Sequence, residues 1–394
     1  MTLSSVSVDG FAAREVLRPG TADELAQALR AADEAGRAVA AIGGGTHLDL
    51  GMPPARLDLG LETTGLHRVV EYEPADLTVT VEAGMRFAEL QRILGEQGQF
   101  LALDPPLEAG ATIGGVIATN ASGPLRFAYG TARDLVIGTR VANADGTVTH
   151  AGGRVVKNVA GYDLNKLYIG SLGTLAIIVE LSFKLAPIPP ALATVAGQFD
   201  DAIAARGLIG AVVRSPLSPL AIELNGSRQV IFRVGGYPQA VDRQVRDLTA
   251  LVTENGGQPD TAEWEDLQRQ RLEARRRDVV IKAAAPISAS TNLVEILERH
   301  LAELAPRVWA HAGNGVAFAA CDAPSDASVL TAIRAEVAAL GGNASMVIEK
   351  CPTALKASVD VWGDPGPSVA LMRAIKSKLD PHNILNPGRY VGGL

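Results

Sequence analysis

Residues 110–124 run Gly110-Ala111-Thr112-Ile113-Gly114-Gly115-Val116-Ile117-Ala118-Thr119-Asn120-Ala121-Ser122-Gly123-Pro124. So little side-chain volume lets a flat ligand, or its phosphates, come close to the main chain. Thr112, Thr119, Asn120 and Ser122 add hydroxyl and amide groups. Tight packing of a helix on a sheet would account for the glycines, but not for so many hydrogen-bonding side chains among them. Upstream, the apolar strand Val39 to Ile42 runs into Gly43-Gly44-Gly45-Thr46. Three glycines let successive N–H groups converge on an anion, and Thr46 adds a hydroxyl donor. A plain glycine turn after a strand would look the same. The loop is not a Walker sequence, and no G-x-G-x-x-G occurs in the chain, which counts against a dinucleotide-binding Rossmann domain.

The chain around these segments is large enough for two or three domains, with 394 residues of which 47% are hydrophobic. A net charge of −7 argues against a nucleic-acid partner. Two cysteines, Cys321 and Cys351, exclude a disulfide scaffold and a four-cysteine iron–sulfur cluster. The N-terminus lacks a basic stretch followed by an apolar run, so no signal peptide is expected. No apolar stretch reaches the length of a spanning helix, so no direct membrane insertion is expected.

Outward from the glycine segments, the first half alternates helix and strand. Thr21-Ala22-Asp23-Glu24 has capping-box spacing before Leu25, Ala28, Leu29 and Ala32. Leu77 to Val81 reads as a strand, Phe87 to Gln97 as a helix, and Asp145-Gly146 as a hairpin turn. Leu175 to Leu185 is a strand stopped by Pro187, Pro189 and Pro190, which mark a domain boundary. Beyond it two β-α-β-β-α-β-like sets follow, the first, Ala193 to Glu254, read without a closing strand and the second from Val279 to Ile348, which predicts an α+β sheet with helices on one face. Arg133 beside Asp134, and Lys157 upstream of Asp163, read equally well as structural ion pairs.

Taken in order, the glycine loop, the 110–124 block, Tyr129-Gly130-Thr131-Ala132-Arg133-Asp134, Lys157-Asn158-Val159-Ala160-Gly161-Tyr162-Asp163-Leu164 and Gly170-Ser171-Leu172-Gly173-Thr174-Leu175-Ala176-Ile177-Ile178 resemble vanillyl-alcohol-oxidase-type flavoproteins, whose FAD domain is called PCMH-type. Leu379-Asp380-Pro381-His382-Asn383-Ile384-Leu385-Asn386-Pro387-Gly388-Arg389 resembles that family's closing motif. Within the family, the run 157–164 and the short cap most resemble the FAD-binding subunits of glycolate oxidases. The resemblance implies an α+β fold in three parts. Residues 1–190 would form a two-subdomain FAD-binding domain, and 191–362 an α+β cap with an antiparallel sheet of ferredoxin-like repeats. Residues 363–394 would return to the FAD domain. Gly43, Gly44, Gly45 and Thr46 would wrap the FAD pyrophosphate. Gly110, Ala111, Thr112, Gly114, Gly115, Thr119 and Asn120 would line the pyrophosphate and the isoalloxazine edge, and Ser122 and Gly123 would continue that wall. Ile177 would hold the adenine end by its main chain, and Asn386 would sit near the flavin. Gly44→Asp is expected to abolish FAD retention.

Two departures bear on these roles. Relatives place a basic residue before the glycines, where this chain has Ile42. Relatives with covalent flavin have a His in place of Thr46; here the His is one position later, His47, so non-covalent FAD is expected. His47 also reads as an ordinary loop residue. The resemblance further implies a cytoplasmic location, or a peripheral one at the inner membrane through partners. Those partners would be a larger FAD-containing subunit and an iron–sulfur subunit, and the substrate a small 2-hydroxy acid.

Larger relatives hold a divalent metal with H-x-G-D-G-N-x-H and a downstream Glu. The matching stretch here is Trp309-Ala310-His311-Ala312-Gly313-Asn314-Gly315-Val316-Ala317-Phe318, with one His, and Glu349 as the remnant acid. No metal is expected. His311 and Lys282 remain as catalytic candidates, Lys282 as a contact for a substrate carboxylate, and His311 equally as a hydrogen-bonded strand-end residue. The run Arg269, Arg271, Arg275, Arg276 and Arg277 reads as a solvated face or a partner-binding patch.

Overall fold

The computed structural model describes residues 6–107, 109–154 and 162–394. The chain forms two compact units: Met1–Ser122 with Gly130–Ile188 and Asp364–Leu394, and Gly123–Tyr129 with Pro189–Gly363. Lys157, and with it most of the 157–164 motif, lies outside the described residues.

The first unit contains two larger sheets and two two-stranded ones. Strands β1 (Glu15–Leu17), β2 (Val39–Ile42) and β3 (Leu59–Glu62) form a parallel sheet in the order β1-β3-β2. Helix α1 (Ala22–Glu34) joins β1 to β2, and Thr21 Oγ1 accepts from Glu24 N at 3.1 Å as the capping spacing implies. The Glu24 carboxylate reaches back one residue further than a reciprocal box would, to Gly20 N at 2.7 Å. Strands β4 (Val69–Glu73), β5 (Thr78–Glu82), β6 (Val136–Ala142), β7 (Val148–Gly152) and β8 (Ile177–Lys184) make an antiparallel sheet in the order β7-β6-β8-β5-β4. Leu25, Leu29 and Ala32 of α1 pack on Val39, Leu59, Ile177 and Val179, and Ile384 and Leu385 join the same core. These last two are fully buried, worth roughly 1.5–3 kcal/mol each. Leu385 pairs in parallel with Val39, through Val39 N to Ile384 O at 2.7 Å and Asn386 N to Val39 O at 2.8 Å. The C-terminal motif therefore extends the sheet beside the strand that feeds the glycine loop.

The second unit is one antiparallel sheet. Its first half contains β9 (Ala191–Gln198), α2 (Ala202–Arg214), β10 (Ala221–Asn225), β11 (Gln229–Gly236), α3 (Pro238–Glu254) and β12 (Gln258–Asp260). After α4 (Trp264–Ala274), the second half contains β13 (Val279–Ala284), α5 (Ser290–His300), β14 (Arg307–His311), β15 (Val316–Cys321), α6 (Ser328–Ala339) and β16 (Ser345–Lys350). The strand order β12-β9-β11-β10-β14-β15-β13-β16 is two ferredoxin-like sheets joined where β10 meets β14. Strand alternation and register put Glu223, His311, Phe318 and Lys282 on one face. That face is covered by α4, whose Leu267 packs on Ala196 and Ile231 and whose Ala274 packs beside Trp309 and Phe318.

Gly123–Tyr129, which the sequence reading assigned to the first domain, clusters with the second unit. Phe127 packs so closely on Gly313 that a Cβ there would lie 2.6 Å from the ring. Arg133 and Asp134 do not pair with each other but bond locally, and the expected Lys157–Asp163 pair involves a residue outside the described ones. Asp134 accepts from Thr131 N at 2.8 Å and closes a capping box, while Arg133 donates to the Lys166 carbonyl at 3.2 Å. Asp163 pairs with Lys166 at 3.1 Å.

Candidate functional site

A cleft opens in the first unit. Its walls come from three segments far apart in sequence: the loop after β2, residues 114–119, and residues 172–178, with Asn386 and Arg389 closing it. Of the residues singled out from sequence, Gly43, Gly44, Gly45, Thr46, Gly114, Gly115, Thr119, Ile177 and Asn386 line it. Gly110, Ala111 and Thr112 stand behind the wall. A Cβ on Gly44 would lie 1.8 Å from the Gly110 carbonyl, and one on Gly43 would lie 2.2 Å from Thr112 Oγ1. The two glycine-rich loops are thus in main-chain contact, which explains why both are glycine-rich. Ser122 and Gly123 do not line the cleft.

The segment 113–119 is a short helix capped by Thr112, whose hydroxyl accepts from Gly115 N at 3.3 Å. Glycine is a poor helix former. Gly114 is there because the helix rests on Ala83, whose Cβ would be 2.8 Å from an added Cβ. Asn120 ends the helix in the left-handed region at φ 51°. The Thr119 hydroxyl is used within the helix, donating to Gly115 O at 2.8 Å.

The polar groups facing the cleft suit a phosphorylated dinucleotide. The N–H groups of Gly44, Gly45 and Thr46 donate to no protein acceptor among the described residues. Free N–H groups on a glycine loop form an anion-binding concavity. Asn386 donates to Leu172 O at 2.6 Å, while its buried Oδ1 has no protein partner among the described residues. Asn120 Oδ1 and Ser171 Oγ are also buried without a protein partner among the described residues, but neither residue lines the cleft. An orphaned buried acceptor is costly, so Asn386 Oδ1 marks a place where a ligand can supply the partner. His47 Nδ1 lies 3.1 Å from Thr46 Oγ1. Arg389 donates to Leu48 O at 2.7 Å, and Met52 N donates to Arg389 O at 3.0 Å, so the C-terminal segment clamps the loop that follows the glycines. Burial holds the Arg389 guanidinium below its ordinary pKa.

Over residues 13–152 the chain matches the FAD binding domain family, and over residues 365–390 the C-terminal domain of FAD linked oxidases. Together these two matches supply most of the cleft's walls. The chain is an FAD-linked oxidoreductase. Glycolate oxidase subunit GlcD of Bacillus subtilis is 26% identical to it over 415 residues, covering 95% of this chain and 88% of that one. Glycolate oxidase subunit GlcE of Escherichia coli is 41% identical over 127 residues, covering 32% of this chain and 36% of that one. In fold, the oxidoreductase is similar to p-cresol methylhydroxylase with substrate bound, with a TM-score of 0.75 at 16% identity over 95% of this chain and 88% of that one.

The second unit carries a separate polar cluster. Glu223, in the middle of β10, is fully buried, and its Oε2 lies 2.8 Å from His311 Nδ1 and forms an ion pair with Arg271 Nη1 at 2.7 Å. Nearby, Arg275 pairs with Glu349 at 2.8 Å and lies 5.1 Å over the Phe318 ring. Lys282 Nζ is 3.9 Å from Glu349, with its side chain 30% exposed. Burial lowers the pKa of Lys282, and the Arg126 and Arg275 guanidiniums lower it further against the pull of Glu349. The basic run is therefore not a solvated face throughout: Arg269 and Arg276 are exposed, but Arg271 and Arg275 are not. Arg271 and Arg275 point inward, while Arg269 pairs with Asp266 and Arg277 with Asp322. Arg271 and Arg275 lie four apart, one helical turn, which is why they share a face. Among the described residues no group of three or more His, Cys, Asp or Glu side chains is placed to hold a metal.

Proposed function

We propose that this oxidoreductase is the flavin-bearing subunit of a glycolate oxidase, which helps oxidise a small 2-hydroxy acid to the 2-oxo acid and passes the electrons to a partner chain. The observation that carries this reading is the cleft, with its unsatisfied N–H groups on the glycine loop and the orphaned Asn386 Oδ1. The similarity to two chains named as glycolate oxidase subunits supports the substrate class.

Bound FAD supplies the hydride-accepting chemistry, and the protein supplies position and proton handling. Gly43 to Thr46 would hold the pyrophosphate, Gly114, Gly115 and Ile177 the adjoining walls, and Asn386 would meet the cofactor with its free oxygen. Thr46 offers a hydroxyl where a covalent attachment would need a histidine, so the flavin is held non-covalently. In the second unit, Lys282 would receive the substrate carboxylate. Both cysteines are buried, and two are too few to hold an iron–sulfur cluster. Electrons would leave through a larger FAD-containing subunit and an iron–sulfur subunit. A cytoplasmic complex that reaches the inner membrane through those partners suits the chain. Among the described residues, no helix is long and apolar enough to cross a membrane.

Anaerobic mixing of the FAD-loaded chain with glycolate tests this. The flavin absorbance is expected to bleach when the co-purifying partner chains are present, and not without them. Full bleaching of the isolated chain would instead make it a stand-alone dehydrogenase. A flavin that never bleaches within the complex would leave it a structural cofactor and overturn the proposal.

A further inference from the structure

Arg86 stands where the two glycine-rich loops meet, within the first unit. Its main chain is held on both sides by the 110–124 block. Arg86 pairs with Thr112 as an antiparallel bridge, Ile113 N donates to Met85 O at 2.9 Å, and Phe87 N donates to Ala111 O at 3.0 Å. From this fixed base the side chain reaches Gly110, whose carbonyl accepts from Nη1. A Cβ on Gly44 would lie 2.8 Å from the same Nη1. Glycine at 44 thus admits a guanidinium as well as a carbonyl. The charge of that guanidinium is uncommitted. Arg86 is exposed, and among the described residues its one side-chain bond goes to a neutral carbonyl and it forms no ion pair.

The glycine loop offers N–H groups but no full positive charge. Between Val39 and Leu50 the chain has no lysine or arginine. Arg389 lines the cleft, but its guanidinium is turned to the Leu48 and Leu50 carbonyls. The pyrophosphate of FAD carries two negative charges. Main-chain N–H groups meet these with partial charges at contact distance, whereas a full charge beside the loop attracts them over a longer range. Arg86 does not itself line the cleft, so it acts across the Gly44 main chain, by its field and not by contact. Resting on the placement of the pyrophosphate proposed above, we infer that Arg86 is the electrostatic counter-ion of the FAD pyrophosphate. An exposed charge is screened by salt. FAD binding should therefore weaken as salt rises, with Arg86 accounting for part of that dependence.

The test measures FAD binding to the full chain, stripped of flavin, by flavin fluorescence over a range of potassium chloride concentrations. Arg86→Gln removes the charge, and at low salt it is expected to bind FAD about 3- to 10-fold more weakly than the wild type. That difference should shrink towards high salt. Arg86→Lys keeps the charge and should bind FAD much as the wild type does. Wild-type affinity in Arg86→Gln at low salt overturns the inference. So does an equal loss in Arg86→Lys that salt does not change, because the guanidinium is then only a brace on the Gly110 carbonyl. Should Arg86→Gln fail to fold, the wild type and Arg86→Lys decide. An affinity that falls with salt alike in both supports the inference, and one independent of salt overturns it. Gly115→Asp in the same assay tests the placement beneath it. Full FAD binding by that variant overturns the placement and the inference together, whereas a colourless Gly115→Asp beside an unimpaired Arg86→Gln overturns the inference alone.

Discussion

Aspartate in place of Gly115 is expected to give a folded protein without flavin. Gly115 lines the cleft, and an added Cβ would meet only Thr112 Oγ1, at 3.1 Å, before open space. A carboxylate there would face the place where the pyrophosphate is proposed to lie, so repulsion and lost volume both act against the cofactor. The same residue is the third of the helix 113–119, capped by Thr112. An acidic side chain in a first helical turn is favourable, by roughly 0.3–1 kcal/mol. The fold of the apoprotein therefore has no reason to weaken. Gly44→Asp, the obvious choice from sequence, cannot separate these effects. Its Cβ would lie 1.8 Å from the Gly110 carbonyl, so both glycine loops must move before any ligand is considered. The expected pair of results is a colourless Gly115→Asp protein melting within a few degrees of the wild-type apoprotein, and a Gly44→Asp protein that loses flavin and stability together. A yellow Gly115→Asp protein, with stoichiometric FAD, would remove the 110–124 block from the binding site.

That contrast shows where sequence reading reaches its limit. Gly43 to Gly45 and Gly114-Gly115 announce themselves because a missing Cβ is a local property, visible without knowing the neighbour. The Thr21 cap and the Asp145-Gly146 turn are equally local: Asp145 Oδ1 accepts from Thr147 N at 2.8 Å, two residues away. The repeated β-α-β-β-α-β order is likewise legible, because strand and helix periods differ. Arg389 was quoted as part of a motif, but its hold on Leu48 spans 341 residues, and no local pattern reveals such a partner. Glu223 left only a faint signal, one acid inside the largely apolar strand Ala221–Asn225. It drew no attention because a lone Glu on a strand usually faces water. The arginines of α4 misled for the opposite reason. A cluster of like charges suggests a surface, and only the register of β10 against β14 supplies the buried carboxylate that draws Arg271 inward. His311 was visible as a remnant of a metal motif, while Glu223, 2.8 Å from its Nδ1, was not.

Removing Lys376 should have the second large effect, reaching the cleft through the fold. The Lys376 ammonium is 5% exposed and bonds to Asp380 Oδ2 at 2.5 Å, Thr174 O at 2.8 Å and Leu385 O at 2.9 Å. Thr174 follows Gly173 and Leu385 precedes Asn386, both cleft-lining, so one side chain ties the two walls together. Asp380 is almost completely buried and also accepts from Ile384 N at 3.0 Å and Leu385 N at 2.8 Å, shaping the turn that delivers Asn386. Burial lowers the pKa of Lys376 while Asp380 raises it, which is the balance expected of a desolvated pair. In Lys376→Met the Asp380 carboxylate stays buried without its counter-ion, at a cost of about 3–5 kcal/mol. Denaturant titration should show that loss, and FAD should dissociate more readily at a temperature where the variant is still folded. The double variant Lys376→Met/Asp380→Asn should recover part of the stability, because the uncompensated charge is gone. It should not recover all of it, since an amide offers one acceptor oxygen where the carboxylate served Ile384 and Leu385 with two. Wild-type stability and flavin affinity in Lys376→Met would mean that burial of Ile384 and Leu385 alone seats the closing segment, with the ion pair contributing nothing to the cleft.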